Sequence, residues 1–266
     1  MADNLTVVSL RKLLSGSNII SFYLGNNKVY FITRAHNVQA MFRTSSSISS
    51  DKFILFMIKN LWGATEADVA KFVNDKSGRL AAPAAGAETT PPGGRYWAGF
   101  HRIVHGYLAR TQEADKIADS FERLLSARLE RYPLDGWSTV RICDFLRNDV
   151  AEAAVVSLAG SRILELDPDL LRKLWDFDEI AASIAWGPPK WMKRDAWNKR
   201  DALRAACAKY LDAAWAGFDW DGQDADADWE PNFGARYSRE LARWMKEADF
   251  APQTCAGIVA VSSLFG

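Results

Sequence analysis

The chain is poor in the residues that most often announce a chemistry. It holds three cysteines and three histidines in 266 residues. Cys143, Cys207 and Cys255 lie far apart with no Cys-x-x-Cys pair, which excludes a disulfide framework and makes a reducing compartment the expectation. Net charge is absent too: 33 basic side chains face 33 acidic ones, so no global attraction to nucleic acid exists. No apolar run reaches the ~18 residues of an ordinary membrane-crossing helix. The start, Met1 to Ser9, lacks the basic and long apolar regions of a signal peptide. There is no Gly-x-Ser-x-Gly, phosphate loop, dinucleotide fingerprint or Cys/His dyad at a recognisable spacing. The residues alone declare no reaction.

What is present is a globular composition, 48% hydrophobic and 25% charged, in a length that permits one large domain or two small ones. Tryptophan is abundant: eleven, eight of them between Trp175 and Trp244. Such density predicts a well-filled interior or a wide apolar surface. Ser21–Leu24 and Lys28–Thr33, joined by Gly25-Asn26-Asn27, predict a β-hairpin. Helical patterning follows over Asn37–Arg43 and, after the polar run Thr44 to Ser47, over Phe53–Trp62. Residues 81–94, with three prolines and three glycines, predict a flexible surface loop. Beyond it helices dominate. Ile117, Phe121, Leu124, Leu125 and Leu129 form one apolar stripe. Asp167-Pro168 reads as a helix start, with the Asp as cap. Leu203, Ala206, Cys207, Tyr210, Leu211, Ala214, Trp215 and Phe218 share one helical face, and Leu241, Trp244, Met245 and Ala248 another. From Cys255 to Phe265 the chain is almost wholly apolar. A helix without a polar face is central to a domain, so its partners are expected to follow it in sequence, and the chain reads as cut.

Several constellations invite chemistry. His101-x-x-x-His105 places two imidazoles one helical turn apart, a zinc-compatible spacing, but the Glu of a metalloprotease motif is replaced by Arg102. Asp219, Asp221, Asp224, Asp226, Asp228 and Glu230 suggest hard cations, although the calcium-loop pattern fails for want of a glycine at position six. A solvated acidic loop is the plainer reading. It follows a basic stretch (Lys190, Lys193, Arg194, Lys199, Arg200, Arg204), so the two segments are expected to neutralise each other. The basic stretch could instead meet an anionic membrane surface. Ser9-x-x-Lys12 and Ser49-x-x-Lys52 have acyl-transfer spacing without a partner motif.

The order of segments resembles the amino-terminal half of a haem-thiolate monooxygenase, the cytochrome P-450 family, in the flavour of fungal members similar to sterol 7-hydroxylases and prostacyclin synthase. Lys28-Val29-Tyr30-Phe31-Ile32-Thr33 followed by Asn37 to Arg43 resembles the first sheet passing into the B helix. Arg95-Tyr96-Trp97 through Tyr107 resembles the C helix, Asp176 to Ser183 the F helix, and Lys199 to Trp215 the G helix. Trp229-Glu230-Pro231 to Ala248 resembles the approach to and body of the H helix, and Pro252 to Gly266 the opening of the I helix.

The resemblance implies a mainly α chain with a small β-hairpin, an incomplete P-450-like fold in one truncated domain over 1–266. In it, 1–80 would be the hairpin and B region, 81–94 a flexible loop, and 95–266 the C to early I helices. It also implies haem, a lipid-like or terpenoid substrate and an electron-donating reductase, in a protein that is cytoplasmic or peripheral to the endoplasmic reticulum. Trp97, His101 and Arg102 would lie at a haem propionate, with His101 where the family has a basic residue. The loop that carries the axial cysteine has no counterpart here, so no catalytic or iron-binding residue is assigned and the chain is expected to be inactive. Glu240-x-x-Arg243 spells a family motif but stands before the I helix and is rejected. The alternative is a helical protein without enzymatic activity whose Trp-rich face (Trp186, Trp191, Trp197, Trp215) binds a partner or a membrane. A carboxylate-held metal over Asp219–Glu230 is a further rival.

Overall fold

A computed structural model describes residues 19–24, 27–43, 49–109, 111–133, 136–137, 139–185 and 187–262. The chain divides into two compact units, 1–52 and 53–266. The division precedes the Pro/Gly-rich stretch at 81–94.

In the first unit, β1 (Ile19–Leu24) and β2 (Asn27–Ile32) pair antiparallel from Ile19 opposite Ile32 to Leu24 opposite Asn27. The β-branched and aromatic residues of both runs favour this pleated pairing. The turn residues Gly25 and Asn26, like the polar run 44–47 and the Ser9–Lys12 pair, lie outside the described residues. Arg34 turns the chain at a left-handed φ of 69°, and its carbonyl accepts the amides of Asn37 and Val38 as α1 (Ala35–Arg43) begins. Ser49 accepts the Asp51 amide at the start of α2 (Asp51–Met57), a capping role for the serine of the Ser49-x-x-Lys52 pair.

The second unit is helical. Helix α2 widens into a π-helical turn, Ile58–Trp62, which buries Ile58, Leu61 and Trp62 and stops at left-handed Gly63. Helix α3 (Glu66–Asn74) is capped by Thr65, whose hydroxyl accepts the Asp68 amide at 3.0 Å. An irregular segment leads to α4 (Tyr96–Leu108) and α5 (Thr111–Leu129). Next come α6 (Ile142–Phe145), a second π-turn (Leu146–Val150), α7 (Ala151–Ala159), α8 (Arg162–Leu166), α9 (Leu170–Ile184) and α10 (Arg194–Gly217). A two-residue ladder, β3 (Trp229–Glu230) with β4 (Gly234–Ala235), precedes α11 (Arg236–Glu247) and α12 (Pro252–Ser262).

The stripe read on α10 is the core face: Leu203, Ala206, Cys207, Tyr210 and Ala214 are buried. The Tyr210 hydroxyl donates to the Ala159 carbonyl at 2.8 Å, tying α10 to α7. Part of the tryptophan complement fills the interior, whereas Trp137 and Trp191 are exposed. Trp62, Trp97, Trp197 and Trp244 are buried, and Phe72 packs on Trp62, Tyr96, Trp97 and Phe250 with ring centroids 5.2–6.0 Å apart.

Three expectations are corrected. The helix at Asp167-Pro168 begins later, at Leu170. Asp167 closes α8, and its carboxylate accepts the Asp169 amide and the Lys173 ammonium. The basic and acidic runs do not neutralise each other. Lys190, Arg200 and Arg204 pair with Asp201, and Lys199 with Asp195, whereas Asp226, Asp228 and Glu230 pair with Arg236, Lys116 and Arg239. The third concerns α12. Its partners precede it in sequence: Thr254, Ala256, Gly257, Ile258, Val259 and Ala260 are buried by the unit's own elements, α10 and the Trp62 turn. Gly257 makes this approach feasible, because a Cβ there would overlap the backbone of Trp62. Packing within the chain thus accounts for the burial of Thr254 and of residues 256–260.

Candidate functional site

Helix α4 carries the residues singled out for a cofactor, and the fold sends them in two directions. Its amino-terminal end is fixed by one carboxylate. Asp75 is buried and accepts the Trp97 amide at 3.0 Å, the Ser77 amide at 2.9 Å and the Ser77 hydroxyl at 2.7 Å. The segment from 75 to 97 is therefore closed at both ends on the same side chain. Arg95 ties its interior, donating to the Ser77 hydroxyl and to the carbonyls of Leu80 and Ala81. Trp97 points inward, where its indole N–H donates to the Phe72 carbonyl at 2.8 Å and the Arg79 guanidinium lies 4.8 Å from its ring centre.

His101 and Arg102 point outward and are exposed. They line a cleft of about 510 Å³, within the size range of small-ligand sites. Its helical side is shallow because α4 presents Ala98, Gly99 and Gly106 there. The rest of the lining comes from the closed segment, with Arg79 and Arg95, and from α11, with Trp244 and Glu247. Trp244 can reach α4 because Gly99 has no Cβ; one would collide with the indole. The His101 and His105 rings are stacked at 5.6 Å with 19° between planes, and both line the cleft. Three arginines thus face one glutamate, so the lining favours anions. The structure brings His101, Arg102 and His105 together and leaves Trp97 apart. Sequence reasoning assigned no site role to Arg79, Trp244 or Glu247, which lie on segments separate from α4, nor to Arg95, which directly precedes it.

The other candidate chemistries disperse. Among the described residues no group of three or more His, Cys, Asp or Glu side chains is placed to hold a metal ion, so the acidic run offers no such cluster. Glu230, buried, accepts the amides of Asn232 and Phe233 and turns the chain between β3 and β4. Among the described residues the proposed tryptophan face does not form: Trp197 is buried, Trp215 is half-buried against Trp220 and Lys246, and Trp191 is 80% exposed. Trp186 lies outside the described residues. Among the described residues no helix is long and apolar enough to cross a membrane. The cysteines are separate and free. Burial, aided by the charge of Asp167, pushes the Cys207 thiol up to about 12. Burial and the charge of Asp68 push Cys255 up to about 11. Cys143 is exposed on the four-residue α6.

No protein-family model matches the chain, and no solved structure matches it. Curated proteins do. The chain is 42% identical over 250 residues, 94% of its length, to the cytochrome P450 monooxygenase calL of Penicillium decumbens. It is 31% identical over 108 residues to the cytochrome P450 monooxygenase fsoE of Humicola fuscoatra, covering 41% of this chain and 19% of that protein. It is 26% identical over 98 residues to the cytochrome P450 monooxygenase efuG of Hormonema carpetanum, covering 37% of this chain and 17% of that one. These curated homologues are fungal cytochrome P450 monooxygenases and support that family for the chain. The chain spans about half the length of the first of them, 46%.

Proposed function

We propose that the chain is the part of a haem-thiolate monooxygenase that carries the first sheet and the B to early I helices. The whole protein would hydroxylate a lipid-like or terpenoid substrate, with electrons from a reductase, in the manner of sterol-7-hydroxylase-like members. The observation that carries this reading is the 42% identity to a P450 monooxygenase along nearly the entire chain. Haem held by a cysteinate supplies the oxidant for unactivated C–H bonds.

The cleft residues fit part of that cofactor. His101 and Arg102 are exposed donors on a cation-rich wall and suit the propionates. Trp97 does not suit them, because its indole donor and its amide are both committed within the fold. We assign it a structural role, joining α4 to the end of α3. No cysteine of the chain suits the iron. Cys207 is sealed inside α10's core face, the Cys255 thiol lies 3.6 Å from the Phe250 carbonyl in α12, and burial holds both in the thiol form. Cys143 lacks the glycine-rich setting that would aim a thiolate. By themselves the 266 residues are therefore proposed to be inactive.

The test is an exchange. This chain replaces the matched 250 residues of the Penicillium relative, and the reduced protein is scanned under carbon monoxide. A thiolate-type Soret band supports the reading. A chimera that is soluble and unfolds cooperatively but takes up no haem refutes it.

A further inference from the structure

Two members of the apolar stripe on α10 are left out of the core. Leu211 and Trp215 are half-buried, whereas Leu203, Cys207, Tyr210 and Ala214 are buried. With Asp212 they share one helical face, at i, i+1 and i+4. That face lines a cavity of about 360 Å³ together with Met245 and Lys246 of α11, Phe250 beyond it and Cys255 of α12. No residue of this cavity lines the cleft beside α4. Its size and its mainly apolar lining are those of a small-ligand site. Met245 and Phe250 are buried and give it an apolar floor. The Cys255 thiol is turned to the Phe250 carbonyl and stays protonated, so it adds no charge. The charges are Asp212 and Lys246, which are exposed and come from different helices. The Lys246 ammonium is kept at the cavity by the Trp215 ring, 4.1 Å from its centre. Among the described residues neither side chain forms an ion pair or a hydrogen bond, with the other or with a third group.

We infer that the cavity between α10, α11 and α12 is a binding site for a small zwitterion with an apolar ring, the chemistry of a free aromatic amino acid. The ligand's ammonium meets Asp212, its carboxylate meets Lys246, and its ring lies on Leu211, Met245 and Phe250. The two charges exclude the simpler classes. An anion with an apolar body meets repulsion from Asp212, and a cation meets it from Lys246. A plain hydrocarbon leaves both charges beside its surface and gives neither a partner in return. Only a ligand carrying both signs answers both residues. A residue inside a peptide has lost both charges, so the free molecule is the form that fits. The site uses no residue assigned to haem, and the inference stands apart from the P450 reading.

The probes are L-tryptophan, tryptamine, which lacks the carboxylate, and indole-3-propionate, which lacks the ammonium. Each is titrated calorimetrically into the haem-free chain at neutral pH. L-Tryptophan should bind about fivefold more tightly than either analogue, the gain of one well-placed exposed ion pair. In Asp212→Asn, L-tryptophan and indole-3-propionate should agree within about twofold, and in Lys246→Gln, L-tryptophan and tryptamine should do so. Both positions are exposed, so neither substitution disturbs the core. Absence of saturable heat with L-tryptophan overturns the inference. Equal binding of the three probes by the wild-type chain also overturns it, as does a preference for L-tryptophan that survives in both variants. Because no haem is used, failure of the P450 exchange leaves this result unaffected, and the reverse also holds.

Discussion

Asp68 offers the sharpest test of how the second unit is held together. It is 2% exposed on α3 and receives the Thr254 hydroxyl at 2.6 Å, the Ala251 amide at 3.1 Å and the Lys71 ammonium at 3.0 Å. Thr254 in turn accepts the Thr65 amide, so one carboxylate joins the starts of α3 and α12. Replacing it with alanine strands the buried Thr254 hydroxyl and the half-buried Ala251 amide, while the Lys71 ammonium keeps the carbonyls of Ala248 and Asp249. At about 1–3 kcal/mol for each stranded donor, the sum is about 2–6 kcal/mol. In a unit of this size that corresponds to a fall in Tm of roughly 5–20 °C. Asp68→Asn keeps an acceptor but turns an amide toward donors, and about 1–3 kcal/mol is expected. Burial acts to raise the Asp68 pKa, and the hydrogen bonds from Thr254, Lys71, Thr65 and Ala251 outweigh it, holding the carboxyl below its ordinary value. Its folded pKa is depressed, so its contribution is present above about pH 4 and is lost as pH falls through the folded value. Urea midpoints of wild type and Asp68→Asn should therefore differ at pH 7 and converge toward pH 2. Equal stability at pH 7, or a gap that persists unchanged to pH 2, refutes the latch.

Further expectations follow from the packing. Gly257→Ala pushes a methyl into the Trp62 backbone and should cost about 1–3 kcal/mol, read as a lower urea midpoint, whereas Gly106→Ala, with open space beside it, should not destabilise. Trp97→Phe removes the donor to the Phe72 carbonyl and should cost about 1 kcal/mol of stability in the haem-free chain, measured by thermal melting; an unchanged Tm would point to a role outside the fold. At pH 8 a water-soluble disulfide reagent should titrate one thiol rapidly, Cys143. Cys255 and Cys207, pushed up to about 11 and about 12, should react only on unfolding, and rapid native reaction at Cys207 would contradict its burial.

The parts of the fold legible in sequence are those set by short-range pattern. The hairpin followed from β-prone runs around a Gly-Asn turn, and α10 from eight apolar positions at helical spacing. The π-turns at Ile58–Trp62 and Leu146–Val150 had no such signal, because nothing in their composition distinguishes them from ordinary helix. The reading of α12 missed that partners for it already precede it in the chain. An all-apolar helix does demand burial on every side, but the demand says nothing about whether its neighbours come earlier or later in the chain. Gly257, a lone glycine in an apolar helix, was the available sign of a close backbone neighbour. At the candidate site, His101 and Arg102 were named through the resemblance of their segment to the family's C helix, and they sit on one helix. Arg79 and Glu247 were not, since only tertiary folding brings their segments to α4. Trp97 was selected by residue type and position, and its direction is set by Asp75 and Phe72, partners more than twenty residues away in sequence.

In the proposed reading, His101 and Arg102 meet a porphyrin's edge and none of Cys143, Cys207 and Cys255 meets its iron. The direct measurement is the optical spectrum of the 266-residue chain reconstituted with haemin, reduced and exposed to carbon monoxide. The account predicts a spectrum without the thiolate-type Soret band. Appearance of that band, and its loss on replacing Cys143, Cys207 or Cys255 with serine, would contradict it.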